Sequence, residues 1–227
     1  MKCPHCSRPV DHEADTCYSC GYSLRAAESF FGRNFVQMSR LHDAAHCLRK
    51  PERDTLEDLM DQLEMRFPQM LFCVYIGALS TEVRLNELGF WLLNHAEVRG
   101  ADYARPNENA VLILIDVTSK QAGISLGYLS ELLLPEDDGY RCLQAARPYL
   151  VNGAYGQALA LLFRKIGRTL SRRARHLKRY PREIDEALNP RPTVPSVVPP
   201  PNHDETKDHA PRTAASPSAL AIAGERI

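Results

Sequence analysis

Four of the chain's seven cysteines fall within its first twenty residues, as Cys3-Pro4-His5-Cys6 and, ten residues later, Cys17-Tyr18-Ser19-Cys20, followed by Gly21. Thiols at such spacing serve as metal ligands or as redox pairs. A Cys-x-x-Cys step turns both sulfurs toward one point through a tight knuckle, and two such steps supply the four soft donors of a tetrahedral Zn²⁺ site. The competing use, a pair of thioredoxin-like redox motifs, belongs with a βαβ pattern, which these residues lack. His5 and His12 are further donors, but four thiolates already close the site. A closed four-ligand site is structural, so catalysis is not expected at this metal. Gly21 stands where the second knuckle calls for a positive φ.

Between the pairs, Ser7 to Thr16 is polar and contains one proline. This stretch can form a short hairpin but is too poor in apolar side chains to fold alone, so the metal must supply the folding free energy. Residues 1–24 resemble a short zinc ribbon.

A second set of residues could do metal chemistry through oxygen. Asp43, Glu108, Asp116 and Glu136 would bind Mg²⁺ or Ca²⁺ if strand ends brought their carboxylates together. The alternative is that Asp43 turns a backbone segment, Asp116 ends a strand, and Glu108 and Glu136 are solvated. No two of the four share a helical face or a short motif. His42, His46 and His95 are expected as surface or satisfied core residues, and the chain carries no Gly-x-Ser-x-Gly or P-loop signature.

A third set is basic. Arg164 to Arg182 holds nine Lys/Arg and no acid, although the whole chain has a formal net charge of zero. On a helix continuing past Leu170, Arg172, Arg173, Arg175 and Arg179 form a polyanion contact for an anionic membrane surface or nucleic acid. The competing expectation is a solvated helix neutralised by the acidic stretch DTLEDLMDQLE.

The frame that must position these groups is modest. With 227 residues, 44% hydrophobic and 25% charged, the chain can bury one ordinary core plus a small appendage. It shows no signal-type apolar region, and no stretch reaches the roughly 18 apolar residues of a membrane span. A cytoplasmic location follows as an expectation, and with it reduced thiols, so Cys47, Cys73 and Cys142 read as buried spectators.

Apolar periodicity supplies the elements. Phe31, Phe35, Met38, Leu41 and Ala45 step at helical spacing through residues 29–48. Thr55 caps a second helix with the stripe Leu56, Leu59, Met60, Leu63 and Phe67, which Pro68 stops. Residues 70–78 and 110–117 are continuous apolar runs expected as buried strands, with a helix opening at Thr81-Glu82 between them. A turn at Thr118 to Lys120 leads to an edge strand at 123–128, and helices over 137–150 and from Gly153 onward complete the unit. The order α-α-β-α-β-β-α-α predicts an α/β fold, a small mixed sheet sandwiched by helices. Beyond Ala187, the chain holds eight of its sixteen prolines and is expected to be a disordered tail.

Asp43-Ala44-Ala45, Asn109 opening the central strand, Gly127-Tyr128 after the hairpin and Gly153-Ala154-Tyr155 before the last helix resemble the TPM domain, the module shared by thylakoid photosystem II repair proteins and many bacterial membrane-linked proteins. The resemblance covers roughly residues 36–171. It implies divalent-metal binding and, in some members, weak phosphatase activity, with Asp43, Glu108 and Glu136 as candidate ligands for Mg²⁺ or Ca²⁺. The chain departs from the family pattern at Glu108 for Asp, Ala110 for Gly and Leu129 for a second Gly. The expected organisation is a zinc ribbon at 1–24, a TPM-like α/β domain at 25–175, a basic helical extension at 176–188 and a Pro-rich tail at 189–227. The expected function is a non-catalytic interaction or regulatory module with a protein partner. A metal-dependent phosphatase and a nucleic-acid-binding protein are the alternatives.

Overall fold

A computed structural model describes residues 2–11, 14–100 and 109–179; the expectations for Glu108, His12 and the Pro-rich tail fall outside them. Strand β3 (Leu71–Gly77) and strand β5 (Ala110–Asp116) run side by side in parallel at the centre of a four-stranded sheet. Strand β2 (Leu41–Asp43) flanks β3 in parallel, and β6 (Gln121–Leu126) closes the other edge antiparallel to β5. The order β2-β3-β5-β6 is thus a mixed sheet, as the apolar runs predicted.

Both central strands are covered on both sides, and their alternating side chains divide the molecule into two cores. Phe72, Val74, Ile76, Val111, Ile113 and Ile115 point into one, against α2 (Lys50–Arg66), α5 (Glu136–Val151) and α6 (Tyr155–Arg179). Leu71, Cys73, Leu112 and Leu114 point into the other, against α1 (Leu24–Phe31) and α3 (Leu85–His95). Helix α3 presses closely on β6. A Cβ built on Gly89 would lie 1.9 Å from the Ser125 hydroxyl oxygen.

The structure corrects the helix expected over residues 29–48. Ser23 caps α1 by accepting from the Ala26 amide at 3.3 Å, and Gly32, at φ 105°, ends it. The chain then forms β1 (Val36–Ser39) and β2. The helical spacing was coincidental, because Met38 packs in the α3-side core, Leu41 in the opposite one, and Phe35 is exposed. β1 pairs in parallel with β4 (Ala96–Arg99), which follows α3 directly, and this two-stranded sheet was not foreseen. Four-residue strands give too short an alternation to be seen against helix flanks.

Other corrections are local. α2 begins five residues before Thr55: Arg49 is its N-cap, and Glu52 reaches back to the Arg49 amide at 3.0 Å. The Thr55 hydroxyl instead donates to the Pro51 carbonyl at 2.7 Å. α3 starts at Leu85 rather than Thr81, β6 spans 121–126, and a short α4 (Tyr128–Leu133) follows it. Cys73 and Cys142 lie in the cores, where burial raises both thiols, Cys73 to about 12. Cys47 is half-buried, its thiol also raised by burial and by the nearby Asp43 carboxylate.

Candidate metal centre and its seat

The two cysteine pairs are built on one repeated plan. Lys2 bridges Pro9 and Thr16 bridges Ser23, so each pair lies in a short hairpin one residue after the first bridging position. In the first, the Cys3 amide donates to the Arg8 carbonyl and Ser7 to that of Cys3, both at 2.9 Å. In the second, Cys17 donates to Tyr22 and Gly21 to Cys17, both at 2.8 Å. The residue after each second cysteine takes a positive φ, 59° at Ser7 and 70° at Gly21. The need at Gly21 was legible in the sequence. Serine at the matching place hid the repeat, since it adopts the left-handed region only at some cost.

The knuckles meet face to face. The Cys3 and Cys20 sulfurs are 3.7 Å apart, as are those of Cys6 and Cys17, and all four lie within 4.8 Å of one another. Such separations are far beyond a disulfide, about 2.05 Å. They match the edge of a tetrahedron with metal–sulfur bonds of about 2.3 Å, for which the sulfurs stand ~3.8 Å apart. The four thiols therefore fit a closed tetrahedral ion and leave no position open for substrate. Among the described residues, this is the only grouping of three or more potential metal-ligating side chains.

The ribbon rests on α3. His5, between the first two cysteines, donates from Nδ1 to Glu87 Oε1 at 2.8 Å and stacks on Tyr22 with ring centres 5.3 Å apart. Arg84 donates to the His5 carbonyl at 3.3 Å, and Tyr22 reaches Phe90 at 6.2 Å. Burial and the Glu87 charge push the Tyr22 phenol up to about 12. Lys2 pairs with Glu136 at the start of α5. None of these contacts was visible in the sequence, because no local pattern links a knuckle to a helix some eighty residues away.

The described oxygen-donor candidates each have partners within the fold. Asp43, at the end of β2, accepts from the Cys47 amide at 3.0 Å and the Leu48 amide at 2.9 Å, and faces Arg53 at 3.5 Å. Asp116, at the end of β5, accepts from the amides of Leu79 (3.0 Å), Thr118 (3.0 Å) and Ser119 (3.2 Å) and from the Ser119 hydroxyl. Burial works against the Asp116 carboxylate, yet the Ser119 hydroxyl and the three amides outweigh it and hold its pKa below the ordinary range. Glu136 points to Lys2 at the ribbon. Asp43 and Asp116 thus tie the chain segments that leave adjacent parts of the sheet.

Of the three histidines singled out, His46 is exposed and the other two pack as rings. His42 stacks on Tyr75 at 5.6 Å, and His95 is buried against Trp91 at 5.4 Å. On α6, Leu162, Ile166 and Leu170 are fully buried, as expected. The four arginines singled out there have different surroundings. Arg172 donates to both Asp138 oxygens at 3.2 and 3.3 Å, and Arg175 Nε donates to the Ser171 carbonyl at 3.1 Å. Arg173 turns its Nε into the protein, while Arg179 is exposed at the helix end. None of the described helices is long and apolar enough to cross a membrane.

A search of curated proteins finds no match to the chain. The family model of the TPM domain matches residues 41–169, which run from the first residue of β2 into α6 and take in the whole four-stranded sheet. That span is more than half of the 227 residues, and the chain belongs to the TPM-domain family, with a cluster of four cysteines that could hold a metal ion preceding the domain.

Proposed function

We propose that this protein is a non-catalytic interaction or regulatory module in which a structural zinc ion holds the ribbon and the TPM domain presents a second contact surface to a protein partner. The observation that carries this reading is the occupation of Asp43 and Asp116 by their own backbone. A carboxylate has about four acceptor positions. Asp116 already receives four donors, and Asp43 accepts two amides and faces a guanidinium, which leaves Asp116 no acceptor position and Asp43 only one with which to hold a metal-bound water beside a phosphate ester. The four-thiol site likewise leaves no open coordination position. Tyr18, between Cys17 and Cys20, is 78% exposed and offers the kind of aromatic anchor that protein interfaces favour.

The test is turnover of an aryl phosphate by the full chain with Mg²⁺ or Ca²⁺. No turnover above the metal-only background is expected. Robust activity abolished by Asp43→Asn would overturn the reading in favour of a phosphatase.

A further inference from the structure

A cavity lies away from the cysteines, where the end of α2, the short α4 and the last turns of α6 converge. Its volume is about 750 Å³, within the roughly 300–1,000 Å³ usual for small-molecule sites. Met70, Leu129, Leu132, Leu133 and Leu177 give it a mainly aliphatic wall. Such a wall suits a flexible hydrocarbon chain better than a flat polar ring.

Two polar atoms beside the same wall lack hydrogen-bond partners. Ser130 is 1% exposed and its hydroxyl has no hydrogen-bond partner. Arg173 Nε is buried and equally unpartnered. Arg66 also lines the cavity, and neither arginine has a carboxylate partner among the described residues. Glu131 borders the cavity as well, but it is engaged with another group. Buried donors left unmade are costly, and guanidinium groups bordering an apolar space favour an anionic partner.

We propose that this cavity binds a single-chain anionic amphiphile, its hydrocarbon tail along the leucine wall and its carboxylate or phosphate head on Arg173 and Arg66. The cavity shares no residue with the ribbon or with Asp43 and Asp116, so the proposal stands apart from the reading above. A neutral chain would leave the guanidinium groups unanswered, and a free inorganic anion would leave the leucines wet. Only a molecule with both parts satisfies the whole wall.

Titration calorimetry on the full-length protein tests this with decanoate, decyl phosphate, decanol and inorganic phosphate. At least one of the two anionic amphiphiles should bind at one per chain, and the tighter of the two identifies the head group. Decanol and inorganic phosphate should each bind about ten-fold more weakly or worse, since a charge-assisted hydrogen bond is worth roughly a factor of ten. Arg173→Gln should weaken the bound amphiphile by a similar factor with an unchanged thermal midpoint, and Arg66→Gln, at an exposed position, should do so without any risk to the core. Decanol binding as tightly as the anions, equal affinity in wild type and both variants, or no saturable binding of either anionic amphiphile would overturn the proposal.

Discussion

His5 Nδ1 donates to Glu87 Oε1 across 2.8 Å, joining residues 82 positions apart. His5 sits between two thiol ligands, so the orientation of this contact depends on the knuckle around it. Among its described residues the ribbon buries only Cys3, Val10 and Cys17 as apolar side chains, a core too small to hold itself. Purified protein should carry one zinc per chain. Cys17→Ser with Cys20→Ser should abolish zinc binding and remove amide protection across residues 3–23, while the main unfolding transition of the domain persists. Retained protection in the metal-free variant, read by hydrogen exchange, would show that the ribbon folds without an ion.

Tyr22 packs on both sides of the ribbon–domain boundary, but its hydroxyl is buried with no partner. Its ring therefore stabilises the junction while its oxygen does not. Tyr22→Phe should be neutral or stabilising by up to about 1 kcal/mol, because an unpaired buried polar group costs roughly that much. Tyr22→Ala should cost about 2 kcal/mol through lost packing. Urea unfolding of the three proteins measures both, and a marked loss in Tyr22→Phe would mean the hydroxyl has a partner in solution.

Asp116 makes stability depend on pH in a defined direction. Its folded pKa lies below the unfolded value of about 3.9. Its contribution is therefore fully present above that value and is lost as pH falls through the lower folded value. Asp116→Asn should cost about 2–3 kcal/mol at pH 7, where an amide replaces an acceptor facing three backbone N–H groups. The gap between variant and wild type should shrink as the pH drops below about 4. A gap that stays constant from pH 7 to pH 2.5 in denaturant titrations would contradict this role.

Gly89 is fixed by contact rather than by φ. A side chain there must push α3 off β6 or displace Ser125. Gly89→Ala should cost about 1–3 kcal/mol despite its helical location. Gly89→Ala with Ser125→Gly should recover most of the loss, and failure of the double variant to recover would place the strain elsewhere.

Long apolar stretches made the central sheet legible. Residues 71–77 and 110–116 are buried through both faces and leave no ambiguity of period, and α6 shows Leu162, Ile166 and Leu170 on one side. Residues 32–48 were not legible, because β1 and β2 are short and each joins a different sheet through partners remote in sequence. The clustering of the four thiols was legible for the opposite reason, their spacing being contained in two tetrapeptides. The roles of Asp43 and Asp116 were visible only as a choice between metal ligand and backbone tie, which spacing alone does not resolve. Arg173 shows the limit most plainly: its charge is evident from sequence, but the burial of its Nε is not, and neither is α4, a six-residue helix that carries no periodic signal.

The ribbon precedes its seat. A ribosome making this chain exposes both knuckles well before it has added Glu87 and Phe90, so during that interval the thiols have neither α3 nor the sheet beside them. An ion available at that stage would be captured by a bare nascent segment, before α3 exists to receive it. Scarcity of metal would accordingly be felt during synthesis, as chains whose domain matures while the leading segment stays unformed, and later supply would have to load a site already tethered beside a finished domain.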